Sequence, residues 1–158
     1  MTDAELNALF DAARSRLREA GAARVRLAAR IPPRRVLGVM RGARLAPAAG
    51  AWHLGILLLT DDDVFAVGEV VRAADPEHRG FTSENQRRRA ERGLEALRGG
   101  FAPGESVHFD WRTLDEAGIL ARRDGSWQLR WSPSGGWMPL GAYLDERVAL
   151  RVSPPPSA

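Results

Sequence analysis

Cysteine and lysine are both missing from the 158 residues. Without cysteine there is no thiol nucleophile, no thiolate zinc site and no disulfide framework, so redox chemistry does not set the compartment. Without lysine, a Schiff-base amine, a Walker phosphate-binding lysine and a serine/lysine pair are excluded. Long apolar runs are missing too: Ile56–Leu59 stops at Thr60, far short of a membrane span. The opening MTDAELNALF is acidic and lacks the basic flank and apolar stretch of a secretory signal, which makes the cytoplasm the expected location.

What is present is the mixture of a globular protein, 44% hydrophobic and 27% charged. The length suits one domain, expected over residues 1–152, with SPPPSA (153–158) as a flexible proline-rich tail. All 23 basic residues are arginine, which together with abundant alanine, glycine and proline points to a GC-rich genome. Net charge is only +3, but it is unevenly spread. Residues 1–50 hold ten arginines against four acids, an excess of six; residues 51–158 hold thirteen against sixteen, a deficit of three. Arg24 to Arg44 contains seven arginines and no acid.

Thr2 and Glu5 have the spacing of a capping box, followed by Leu6, Leu9, Phe10, Ala13 and Leu17 at helical period, which predicts a helix over 3–20. Pro32-Pro33 makes RVRLAARIPPRR a connector or extended edge segment, with a short strand at Val36–Met40. After the loop APAAGA, the runs WHLGILLLT and VFAVGEVV flank three aspartates and predict a hairpin. The first run is too apolar to alternate, which places it centrally. Ser83 and Gln86 cap a helix over 84–98 that Gly99-Gly100 ends. ESVHFDW reads as a strand, ILARRDGSWQLRW as a hairpin turning at Asp124-Gly125, and Pro139 opens a last helix with Leu140, Tyr143, Leu144 and Val148 on one face. The sum is an α+β fold: an antiparallel sheet of about five strands with three helices packed on it.

The aspartates Asp61-Asp62-Asp63 fail the calcium-loop pattern, since positions five, six and twelve would be Phe65, Ala66 and Arg72. They read as a solvated hairpin turn in which aspartate accepts hydrogen bonds from its own backbone. His53, His78 and His108 show no metal-ligand spacing, and no motif requires a metal or cofactor. In the run Arg87, Arg88, Arg89 and Arg92, Glu84 and Glu91 lie at helical spacing from Arg87 and Arg88, and Glu95 from Arg92 and Arg98, so most of these arginines have intrahelical partners. Arg24 to Arg44 has no such neighbours. It is a stripe fit for a protein or other anionic partner, unless it pairs with the acidic remainder of the same chain. No aromatic RNA motif or helix-turn-helix accompanies it, which counts against nucleic acid. Of the five tryptophans, Trp127 and Trp131 are four apart on an expected strand and face one way, giving an aromatic sheet face.

GILLLTDDDVFAVGEVV resembles the strand-turn-strand of pleckstrin-homology and GRAM-like domains. Over most of its length, through WHLGILLLT, GEVVRA, SENQRRRAE, GGF, RWSPSGGWMPL and LDERVAL, the chain is similar to a group of short uncharacterised proteins of high-GC bacteria, some carrying an automatic glutaminase label. That resemblance implies amide hydrolysis, yet the serine/lysine and cysteine mechanisms of glutaminases lack their residues here. No Gly-x-Ser-x-Gly elbow is present either.

Three readings follow. The first is a non-catalytic binding or assembly module, open to homodimerisation, that presents the arginine stripe, with Arg34 and Arg35, and the aromatic face of Trp127 and Trp131. The second is a small amide hydrolase using a histidine such as His53 or His108. The third is a nucleic-acid adaptor. His53 before the hairpin, with Glu69 and Arg72 after it, are the polar groups placed to face a pocket.

Overall fold

The computed structural model describes residues 3–76 and 83–156; His78, Thr2 and the last two tail residues lie outside them. The first half of the chain runs α1 (Ala4–Glu19), β1 (Val25–Ile31), β2 (Arg34–Val36), β3 (Val39–Arg41), β4 (Arg44–Leu54), β5 (Leu57–Leu59), β6 (Val64–Ala66) and β7 (Glu69–Arg72). The second half runs α2 (Glu84–Arg98), β8 (Ser106–Phe109), β9 (Arg112–Thr113), α3 (Leu114–Ala117), β10 (Leu120–Arg123), β11 (Ser126–Arg130), β12 (Trp137–Pro139) and α4 (Leu140–Val152). The class is α+β. Twelve strands and four helices among the described residues replace the five and three expected. The chain divides into two compact units, one of residues 1–24, 51–67 and 112–158, the other of residues 25–50 and 68–111.

In the first unit, the end of β4 pairs antiparallel with β5, β5 with β6, and β6 with β9. The run WHLGILLLT, expected as one strand, is two. Gly55, at φ +65, turns the chain so that Leu54 faces Leu57. The φ alone favours glycine, and a Cβ there would collide with the Tyr143 hydroxyl. β5 lies between β4 and β6 with all three leucines buried, each stabilising the fold by about 2 kcal/mol. β10, β11 and β12 form a separate antiparallel sheet, and Arg123 pairs with Ser126 across Asp124-Gly125, both at positive φ as the expected turn requires. Phe10, Leu17, Trp52, Leu129, Leu140 and Val148 belong to the core these elements enclose. Asp3 caps α1, accepting from the Glu5 and Leu6 N–H groups.

In the second unit, strands pair in the order β7-β8-β1-β4. β1 runs parallel to β8 and β7 antiparallel to it, so the sheet is mixed rather than antiparallel. RVRLAARI is therefore an inner strand, not an edge connector, and its Leu27 and Ala28 are buried. APAAGA is no loop either: β4 runs through it, with residues 44–50 in this unit. The second expected strand, VFAVGEVV, breaks at Gly68, leaving β6 in one unit and β7 in the other. α2 matches its expected span, with Ser83 accepting from the Gln86 N–H. A smaller core of Leu45, Val71, Ala96, Phe101, Val107 and Phe109 lies here. Val36–Met40 proves to be a hairpin of its own, β2 and β3, turning at Leu37-Gly38 with both residues at positive φ. No helix among the described residues is long and apolar enough to cross a membrane.

Candidate anion-binding site

The arginine-rich segment from 24 to 44 separates into two parts with different surroundings. Arg24 is held in the first unit: its Nη2 donates to Asp61 Oδ1 at 2.9 Å, and its guanidinium lies 3.9 Å from the centre of the Trp52 ring. Arg26 donates to Glu105 at 3.0 Å. Arg30 grips Glu95 with two bonds of 3.1 Å, to a carboxylate that is 5% exposed. These three are tied to acids of the same chain. Arg34, Arg35, Arg41 and Arg44 form no ion pair with any described residue.

Three of those four converge. Pro32-Pro33 ends β1, the β2–β3 hairpin projects, and Gly42-Ala43 returns the chain into β4, which sets Arg34 and Arg41 opposite each other and Arg44 just beyond. Arg98, from the last turn of α2, completes a cavity of about 290 Å3 whose other lining residues are Ile31, Pro32 and Gly42. Its guanidinium passes over Gly42, where a Cβ would come within 2.7 Å of Nη1, and donates to the Ala43 carbonyl at 3.5 Å. Four guanidinium groups thus line one cleft with no carboxylate in its wall. Such a wall presents forked N–H donors and uncompensated positive charge, the chemistry that binds phosphate or carboxylate oxygens.

Arg98 was expected to pair with Glu95. The buried carboxylate is instead claimed by Arg30 from β1 and by Arg92, at 2.8 Å, from its own helix. That leaves Arg98 directed to the cleft. No sequence signal marks it, because its neighbours in the cleft lie more than fifty residues earlier. Arg35 sits on the hairpin opposite Met40 and does not line the cavity.

The other expected site residues divide between the two units. His53 lies in the first unit, Glu69 and Arg72 in the second. His53 Nε2–H donates to the Gly55 carbonyl at 2.9 Å, in a shallow cavity with Leu54, Arg147, Leu150 and Arg151. Burial, reinforced by Arg151 and Arg147, pushes its pKa below the usual histidine value. No serine or threonine lines that cavity. His108 is buried in β8 of the other unit. Glu69 lines a cavity with Arg88, Arg89 and Arg92; Arg72 is exposed on β7.

The aromatic sheet face does not form. β11 ends at Arg130, so strand alternation does not carry to Trp131. Trp127 is 5% exposed in the core, whereas Trp131 stands half exposed in the following loop, beside Arg112 and Arg130 in a cavity of about 400 Å3. The three aspartates do make a turn, but Thr60 closes it: its hydroxyl accepts from the Asp62 and Asp63 N–H groups. Asp61 faces outward and pairs with Arg18 and Arg24, which hold its carboxyl well below the usual range. No cluster of three metal-ligating side chains occurs among the described residues.

Protein-family models, curated proteins and solved structures contain no match to this chain. What the cleft can do follows from its chemistry.

Proposed function

We propose that the protein is a binding module whose arginine cleft takes a phosphate-bearing anion. The observation that supports this reading is the convergence of Arg34, Arg41, Arg44 and Arg98 on one cavity without a compensating acid in its wall. Holding four like charges together carries a repulsive cost, and a bound polyanion offsets it. Phosphate suits the cleft better than a single carboxylate, because its oxygens can engage several guanidinium forks at once. The reading is non-catalytic: no nucleophile or general base lines the cavity.

Titration calorimetry with pyrophosphate tests it. Binding should weaken steeply as salt rises. It should fall at least about tenfold in Arg41→Glu and Arg44→Glu, each of which reverses a charge in the wall. Absence of pyrophosphate binding at low salt, or binding indifferent to both substitutions, would overturn the proposal.

A further inference from the structure

The β2–β3 hairpin that supplies Arg34 and Arg41 carries an unusual tip. Leu37 is 99% exposed, and Val39 and Met40 are each 64% exposed. They are the most exposed large apolar side chains among the described residues, and all three lie within one eight-residue stretch, RRVLGVMR. Leu37 also holds a left-handed φ of +50, where asparagine or glycine would sit with less strain. Leucine there is unfavourable both for hydration and for backbone conformation.

Polarity changes along the hairpin rather than across it. The rungs run from Arg34 opposite Arg41, through Arg35 opposite Met40, to Val36 opposite Val39, and end at Leu37-Gly38. A hairpin that lay flat on a protein partner would be apolar on one face and polar on the other, because strand side chains alternate. Here the base is cationic and the end apolar. The rise of about 3.3 Å per residue sets the Val36–Val39 rung about 7 Å beyond the arginine rung, with Leu37 further out. That length is comparable to the depth of about 5–10 Å to which interfacial apolar faces are buried in the headgroup/acyl boundary of a bilayer.

We propose that the protein docks on an anionic phospholipid surface, with the hairpin tip entering the interface and lipid phosphates meeting Arg34, Arg35, Arg41 and the cleft. This rests on the anion-binding reading of the cleft and names its partner. An apolar insertion and a basic patch each give weak membrane attachment, and together they give stable but reversible docking.

Co-sedimentation of the full chain with vesicles tests it. The protein should pellet with vesicles of phosphatidylcholine mixed with phosphatidylglycerol and stay in the supernatant when the vesicles are phosphatidylcholine alone. Leu37→Asp and Met40→Asp, both at exposed positions and in one case at a φ that aspartate tolerates, should weaken partitioning at least about tenfold while pyrophosphate binding is unchanged. Arg41→Glu should lose both. Pyrophosphate binding without vesicle binding would overturn the lipid inference and leave the anion reading standing. Loss of both activities in the wild type would overturn both. Vesicle binding insensitive to Leu37→Asp and Met40→Asp would overturn the role of the tip. Tight binding of a duplex DNA, rather than vesicles, that is abolished by Leu37→Asp would assign the hairpin to nucleic acid instead.

Discussion

Arg30 of β1 and Glu95 of α2, 65 residues apart in sequence, face each other through two hydrogen bonds of 3.1 Å, Nε to Oε2 and Nη2 to Oε1. The pair packs the helix on the sheet of its unit. It also takes Glu95 out of reach of Arg98, which is one reason the cleft keeps its positive charge.

Glu95→Gln should therefore destabilise the protein. The carboxylate is nearly fully buried and serves both Arg30 and Arg92, but Arg30 is about a third exposed, which discounts the full penalty for a broken buried pair to about 2 kcal/mol. Urea unfolding should show a lower midpoint at unchanged slope. An unchanged midpoint would mean that the pair contributes nothing net.

The acid limb of stability should respond to Asp61. Its carboxyl is depressed by hydrogen bonds from Arg24 and Arg18, so the contribution is present above the unfolded value of about 3.9 and disappears as pH falls through the lower folded value. Asp61→Asn should be less stable than wild type near neutrality, and the two should converge at strongly acidic pH. His53 acts over a higher window: with its pKa lowered by burial, stability should fall as pH drops below about 6.5. His53→Gln should flatten that part of the curve. Thermal melts across pH check both.

The Tyr143 hydroxyl should contribute to stability in its own right. It donates to the Leu54 carbonyl and accepts from the Ile56 N–H, each at 2.8 Å, and so closes the turn at Gly55. Tyr143→Phe leaves both backbone groups without that partner and should cost about 1–3 kcal/mol in chemical denaturation. Gly55→Ala should cost as much or more, because the new methyl meets the same hydroxyl at a left-handed φ.

Trp127 and Trp131 should part company under substitution. Trp127→Ala opens a cavity in the core and should lose about 3–5 kcal/mol. Trp131→Ala, at a half-exposed loop position, should change stability by no more than about 0.5 kcal/mol. Equal effects would mean that the loop contributes to the core.

Where the chain carried local chemistry, its elements were legible. Ser83 and Gln86 marked the start of α2, Gly99 its end, and Asp124-Gly125 the β10–β11 turn, because caps and two-residue turns depend on neighbours within a few positions. The strand count went astray at Gly55, Gly68 and Leu37, where short turns interrupt apolar runs whose composition is uniform. β1 was misread because the double proline after it hid an inner strand that pairs in parallel with β8, about eighty residues away.

Composition excluded lysine and cysteine chemistry, and the order of the residues established the α+β class and the gathering of positive charge between residues 24 and 44. Which of those arginines are neutralised was decided only by tertiary structure. Arg24, Arg26 and Arg30 meet carboxylates brought to them from 37 to 79 positions away, whereas Arg34, Arg41 and Arg44 meet another arginine, Arg98. Ion pairing depends on distances of a few ångströms, and between residues far apart in sequence those distances exist only once the chain has folded.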